Sequence, residues 1–244
     1  MPDIDLYSSN PAHYEDIQML RPDYASAKAA LLDLALTHLG SRKGKEKKGI
    51  VLADFCCGTG LNTKMLADRL PVARAVLIDH NAQFIGMAMA SQIAAEIEPV
   101  VGDILEADLS CRADAVLSMF AYHHVEDGQK MKYLKQVKKA LMPGGLLFLG
   151  EIYLADKQMT RAYYQKLYAA IPEKSEELQH FLSQTTESDA YEYKVTKAFA
   201  DAQLHEAGFE LVESRKIWPV RAGGPTDDAF GTDAGTYVEV WRVG

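Results

Sequence analysis

The chain has 244 residues, 48% of them hydrophobic and 25% charged, with a formal net charge of −8. That balance suits one large soluble α/β domain or a domain with a sizeable insertion, and the acidic excess argues against DNA or RNA as a partner, since phosphate binding is built on Lys and Arg. No apolar run is long enough to cross a bilayer, and the start Met1-Pro-Asp-Ile-Asp5 lacks the basic and apolar regions of a signal peptide.

The cysteines are Cys56, Cys57 and Cys111. An odd number containing an adjacent pair implies no disulfide framework, and no histidine stands at zinc spacing, so no metal site is expected. A reducing, cytoplasmic compartment is the expectation.

In chain order, residues 7–24 bring Tyr7, His13, Tyr14 and Tyr24 around Arg21-Pro22, and Ala25 to Leu39 has helical spacing closed by Gly40. The basic run Arg42–Lys48 reads as a solvated loop. Ile50–Asp54 is a continuous apolar run, suited to a buried parallel strand. Leu61–Leu70 is a helix stopped by Pro71, and Ala75–Asp79 is a second strand. Asn81 caps a helix running to about Ala95. Pro99–Val101 is a short third strand, Ala113–Met119 a fourth, and Gln129–Leu141 an amphipathic helix broken by Pro143-Gly-Gly145. Leu146–Leu149 begins a fifth strand. A polar helical stretch from Asp156 to about Ser188 follows, then a helix over Lys194–Ala207 closed by Gly208. Phe209–Trp218 and Tyr237–Val243 are the last strands, separated by the Gly-, Asp- and Pro-rich segment Pro219–Gly235. Such alternation means a parallel sheet with helices on both faces.

The chemistry concentrates in Asp54-Phe-Cys56-Cys-Gly58-Thr-Gly60-Leu-Asn-Thr63 and in Asp79, nineteen positions after Gly60. Glycines let a backbone approach a ligand where a Cβ would clash, and a carboxylate at the next strand tip accepts both ribose hydroxyls. A nucleoside cofactor asks for this arrangement. A dinucleotide fold would carry a third glycine where Thr63 stands, and Asp54 suits an ammonium better than a pyrophosphate.

These residues resemble the first motif of the class I S-adenosylmethionine-dependent methyltransferases. Val100-Val-Gly-Asp103-Ile104 resembles the motif in which an acid accepts from the adenine amino group. Ala115-Val-Leu-Ser118-Met-Phe-Ala-Tyr-His123-His124-Val resembles the fourth strand and the turn that reaches the transferred methyl, and Leu141-Met-Pro-Gly-Gly145 resembles the turn before the fifth strand. Taken together they are most similar to the small-molecule, ubiquinone-biosynthesis-like branch. The resemblance implies a Rossmann-like α/β fold with a seven-stranded, mostly parallel sheet in the order 3-2-1-4-5-7-6, the last strand antiparallel.

It further implies one methyltransferase domain over residues 1–244. Residues 1–40 would form an N-terminal helical lid, 50–155 the cofactor-binding core, 156–193 a helical substrate lid, and 194–244 the last helix and C-terminal strands. S-adenosyl-L-methionine is the expected cofactor, held by Asp54, Cys56, Gly58, Gly60, Asp79, His80, Asp103, Ile104 and Ser118. His124, His123 and Tyr14 are the catalytic candidates; either histidine could serve as base because an imidazole titrates near neutral pH, and His124 is placed ahead of His123. Tyr24, Glu151 and Tyr153 are the substrate candidates. The twelve tyrosines suit either core packing or a ring-lined pocket for a cation or a planar aromatic.

The expected reaction is in-line transfer of a methyl to a nitrogen or oxygen of a small molecule. A same-fold enzyme using the cofactor for another reaction, and a non-catalytic binding subunit, remain alternatives. Monomer and homodimer are both open.

Overall fold

The computed structural model describes residues 15–16, 18–40, 49–109, 111–171, 176, 192–220 and 230–244. Its elements in chain order are α1 (Pro22–Gly40), β1 (Ile50–Phe55), α2 (Leu61–Ala67), β2 (Val72–Asp79), α3 (Ala82–Ala90), β3 (Glu96–Val101) and β4 (Ala113–Met119). There follow a 3₁₀ turn (Tyr122–His124), α4 (Lys130–Ala140), β5 (Leu141–Tyr153), α5 (Lys157–Ala170), α6 (Lys197–Glu206), β6 (Phe209–Trp218) and β7 (Gly235–Val243).

The seven strands make one sheet in the order β3-β2-β1-β4-β5-β7-β6. Pairing is parallel from β3 through β5, and β7 runs antiparallel to both β5 and β6. The expected fold and strand order are therefore found.

Side-chain alternation along the strands builds two cores. On one face Leu52, Leu77, Leu117, Phe148 and Val240 meet Leu31, Leu34 and Leu39 of α1, Leu66 of α2 and Ile85 and Ala88 of α3. On the other, Ala53, Phe55, Val116, Leu147 and Trp241 meet Tyr133, Leu134 and Val137 of α4 and Leu204 of α6. A smaller third cluster packs Tyr163, Tyr164 and Leu167 of α5 against Ile152, Trp218 and Phe230. Among the described residues no helix is long and apolar enough to cross a membrane.

Several boundaries differ from the sequence reading. The helix capped by Asn81 ends at Ala90, with Ser91 as its C-cap, and Gln92 takes a positive φ of 53°. β3 begins at Glu96 rather than Pro99. It is an edge strand with Glu96 and Glu98 exposed, so no apolar run announces it. Pro143-Gly-Gly145 does not precede β5 but lies within it: the β4 register jumps from Ala113↔Leu141 to Ala115↔Leu146, and Gly144, at φ 72°, turns the excess residues out as a bulge.

The two lid segments are only partly described. From Pro22 onward the N-terminal one is α1, a layer helix packed on the sheet through its buried Leu and Ala residues. Residues 1–14, which include Tyr14, lie outside the described residues, as do 177–191 of the expected substrate lid.

Candidate active site

The turn after β1 is shaped by three residues in the left-handed region, Cys56 (φ 56°), Gly58 (φ 53°) and Gly60 (φ 74°). The two glycines do different work. A Cβ on Gly58 would meet nothing within 4 Å, so this position opens onto free space. A Cβ on Gly60 would lie 2.8 Å from the Cβ of Ala88, so this glycine lets α3 pack against the turn.

Asp79, at the tip of β2, accepts from Gly58 N through Oδ2 (2.9 Å) and from Asn81 N through Oδ1 (2.9 Å). Each oxygen keeps lone-pair capacity for a further donor. Exposed His80 places Nδ1 3.5 Å from Asp79 Oδ1. The tip of β3 is tied to the same place, since Gly102 N donates to Asp79 O (3.0 Å). Asp103 Oδ1 accepts from Leu105 N (2.9 Å), while Ile104 is buried in the α4-side core. Asp54, Asp79 and Asp103 thus gather at the carboxyl ends of adjacent strands, where open α/β sheets bind ligands.

Asp54 points to the opposite side of β1 from Phe55, towards α1 and α2. Oδ2 accepts the Thr63 hydroxyl (2.7 Å). Burial pushes the carboxyl up to about 7, opposed by the Thr63 hydrogen bond and the Lys28 charge. Buried Lys28 donates to Asn62 Oδ1 (2.9 Å), lies 3.8 Å from Glu15 and sits 4.7 Å above the Tyr24 ring. Glu15 in turn accepts from the Thr59 hydroxyl (2.6 Å) and from Tyr24 Oη (3.3 Å). The N-terminal residues therefore bind directly to the glycine turn. Tyr24 stacks on Phe120 at 5.3 Å, and Phe120, just beyond β4, has φ 57°.

The histidine turn follows. Lys130, at the start of α4, donates to Tyr122 O (3.0 Å) and Val125 O (2.6 Å), the carbonyls on either side of His123 and His124. His123 is buried, and its Nδ1 forms a very short contact with Glu151 Oε1. Glu151 Oε2 accepts from His123 N (2.9 Å), and Oε1 also accepts from Ile152 N (2.6 Å). The His123 and His124 rings are 4.3 Å apart.

On its other side His123 Nε2 lies 3.9 Å from Glu192 Oε1. Glu192 makes a close ion pair with Lys194 and accepts from Tyr164 Oη (3.2 Å). Tyr193 N donates to His123 O (2.6 Å), holding this strap against the turn. Arg21 pairs with Asp23 (2.8 Å), which accepts from Tyr163 Oη (2.7 Å). Burial drives both members of the His123–Glu151 pair towards neutrality: it lowers His123 well below the imidazole range, with the cations Lys194, Lys130 and Arg21 adding to the effect, and it raises Glu151 to about 7.

A family model described as a methyltransferase domain matches residues 52–145. An uncharacterized methyltransferase of Mycobacterium bovis is 35% identical over 119 residues, 48% of this chain and 54% of the relative. The malonyl-(acyl-carrier protein) O-methyltransferase of Acetivibrio thermocellus is 29% identical over 121 residues, 50% of this chain and 39% of the relative. Among solved structures, the 1,6-didemethyltoxoflavin-N1-methyltransferase of Burkholderia thailandensis, with bound 1,6-didemethyltoxoflavin and S-adenosylhomocysteine, superposes with a TM-score of 0.59 at 17% identity, covering 98% of this chain and 84% of that one. Residues 52–145 thus carry a methyltransferase domain, and the sheet has the class I methyltransferase fold.

A chain from the complex between the Haloferax volcanii Trm112 methyltransferase activator and a methyltransferase shares the fold, with a TM-score of 0.64 at 18% identity, covering 99% of this chain and 96% of that one. The chain spans about half or less of the length of these two curated relatives.

The site's residues fit the cofactor. Gly58 offers an open cradle, and a row of carboxylates suits a cationic nucleoside that carries no phosphate. Gly58→Ala is expected to weaken S-adenosylhomocysteine binding by about tenfold, read by titration calorimetry. The left-handed conformation costs a residue with a Cβ roughly 1–2 kcal/mol, and the new methyl fills the open side of the turn.

Of the expected site residues, Asp54, Gly58, Asp79, His80 and Asp103 lie around this turn, with half-buried Cys56 beside them, and His123, His124 and Glu151 form a second group. Two sit apart. Ser118 is buried, its Oγ 2.7 Å from Tyr133 Oη. Tyr153 is wholly buried in the α4-side core with its hydroxyl on Glu239 (2.8 Å), a partner 86 positions away that no local spacing announces. The sequence reading missed Lys28, Lys130, Glu192, Lys194 and the Arg21–Asp23 pair. Lys130 alone left a local signal, a cation in the first turn of an amphipathic helix, where the helix dipole disfavours one.

Asp54 and Glu151 also make stability pH-dependent. Both fold with a carboxyl pKa near 7, above the ordinary values of 3.8 and 4.5, so between those limits the native state holds protons that the unfolded chain has released. This stabilising contribution is fully present below about pH 4 and is lost as pH rises through about 7, with a slope of up to about 1.4 kcal/mol per pH unit for each group. Thermal melts between pH 5.5 and 8 should therefore show a smaller loss of midpoint in Asp54→Asn than in the wild type. An equal loss in both would remove Asp54 from the effect.

Proposed function

We propose that this chain transfers a methyl group from S-adenosylmethionine to a nitrogen or oxygen of a small molecule, and that His123 is the base. The observation that carries the reading is the buried His123 imidazole at the end of β4, with Nδ1 engaged by Glu151. With Nδ1–H donated to the carboxylate, the lone pair of Nε2 is left to take a proton. Similar proteins include the N-methyltransferase of 1,6-didemethyltoxoflavin, a small molecule, and the O-methyltransferase of malonyl-(acyl-carrier protein).

The cofactor supplies a methyl group that is already electrophilic, so the chain's task is alignment and exclusion of water. Asp79 and Asp103 would accept from the ribose and adenine ends, and Asp54 would receive the ammonium. Glu151 holds the imidazole tautomer. Nε2 of His123 would take the acceptor's N–H or O–H proton, leaving that atom's electron pair free for the methyl that the bound cofactor would supply.

The test is turnover of purified protein with S-adenosylmethionine and separate panels of phenols, amines and nitrogen heterocycles, with S-adenosylhomocysteine measured by mass spectrometry. Acceptor-dependent release of S-adenosylhomocysteine is expected from at least one panel. Release of a different cofactor fragment would overturn the reading.

A further inference from the structure

Lys130 has a wholly buried side chain at the first position of α4. Burial and the helix dipole both disfavour a cation there, so the fold must compensate for it through specific contacts. The ammonium donates to the carbonyls of Tyr122 and Val125, lies 4.5 Å above the Tyr122 ring and is 3.6 Å from Asp127. The Tyr122 hydroxyl is itself held by Gln203 of α6 (2.5 Å).

We propose that Lys130 is a positioning residue for the methyl-transfer base, clamping the two carbonyls that bracket the His123–His124 turn so that the His123 ring stays between Glu151 and Glu192. The proposal rests on His123 being the base. The groups facing that ring are Glu151 from β5, Glu192 and Lys194 from the strap, Arg21 from the residues before α1, His124 beside it, and Lys130 from below. Besides fixing the turn, the Lys130 charge opposes protonation of His123, together with burial, Lys194 and Arg21.

The test compares the wild type with Lys130→Met, which keeps length and apolar volume, and Lys130→Arg, which keeps the charge. Three quantities are read: S-adenosylhomocysteine affinity, the kcat and KM of the acceptor, and the imidazole nitrogen shifts of His123 by NMR across pH with S-adenosylhomocysteine bound. For Lys130→Met the expected result is a kcat about 10–100-fold lower, as for a misplaced catalytic group. Cofactor affinity and KM should stay within about twofold, and His123 should take up its proton at higher pH than in the wild type. Lys130→Arg should recover part of kcat.

An unchanged His123 titration would overturn the proposal, and so would a loss of cofactor affinity in step with thermal stability. A shifted His123 titration with an unshifted pH–rate profile would support Lys130 as the clamp and overturn His123 as the base.

Discussion

Replacing His123 with glutamine is expected to lower kcat by about 10²–10⁴-fold, the usual range for loss of a general base, with S-adenosylhomocysteine affinity nearly unchanged. The imidazole is positioned through Glu151 and not through any residue of the glycine turn, so cofactor binding and proton removal should separate. Glutamine retains a donor for Glu151 but offers no titratable nitrogen. His124→Ala should be milder. The two ring centroids are 4.3 Å apart, and His123 is hydrogen-bonded to Glu151 through both its backbone N and its Nδ1. Steady-state kinetics of both variants on one acceptor decides between them. If His124→Ala loses more turnover than His123→Gln, the roles are reversed.

The second large effect is expected at Asp79. Its carboxylate accepts from Gly58 N and Asn81 N and is the ribose acceptor in the proposed site. Asp79→Ala removes the hydrogen bonds of a charged group, a loss of roughly 1.5–3 kcal/mol for each such bond to the ligand, or about 10–150-fold in affinity. It also leaves two turn N–H groups without their partner. Asp79→Asn separates these effects: one oxygen can still receive a turn N–H, while the charge and part of the ribose capacity are gone. Calorimetric titration with S-adenosylhomocysteine reads both variants. An affinity within about twofold of wild type for Asp79→Ala would put the ribose elsewhere.

The N-terminal contacts were harder to read from the sequence. The tyrosines there suggest a lid, but Tyr24 and Lys28 reach the cofactor turn from the first turns of a layer helix, through Glu15, Thr59 and Asn62. A helix whose buried face follows Leu31, Leu34 and Leu39 looks like any other core helix in sequence. Its special end is visible only once the helix is laid beside α2. Much the same holds for the glycines. Both lie in the turn and both have positive φ, yet only the position of Ala88 distinguishes packing at Gly60 from open space at Gly58.

What the sequence determined by itself is the succession of strands and helices; the sheet order followed from the family resemblance that its motifs carry. Continuous apolar runs ending in Asp54 and Asp79 mark buried parallel strands whose tips carry the acids, and that signal is local because strand burial and turn geometry act over a few residues. The tertiary structure alone decided that His123 Nδ1 engages Glu151. His123 and His124 are chemically identical neighbours. The choice depends on a turn held by Lys130, on Glu151 28 positions later and on Glu192 farther still, contacts set by strand register and helix packing, which no local pattern of residues encodes.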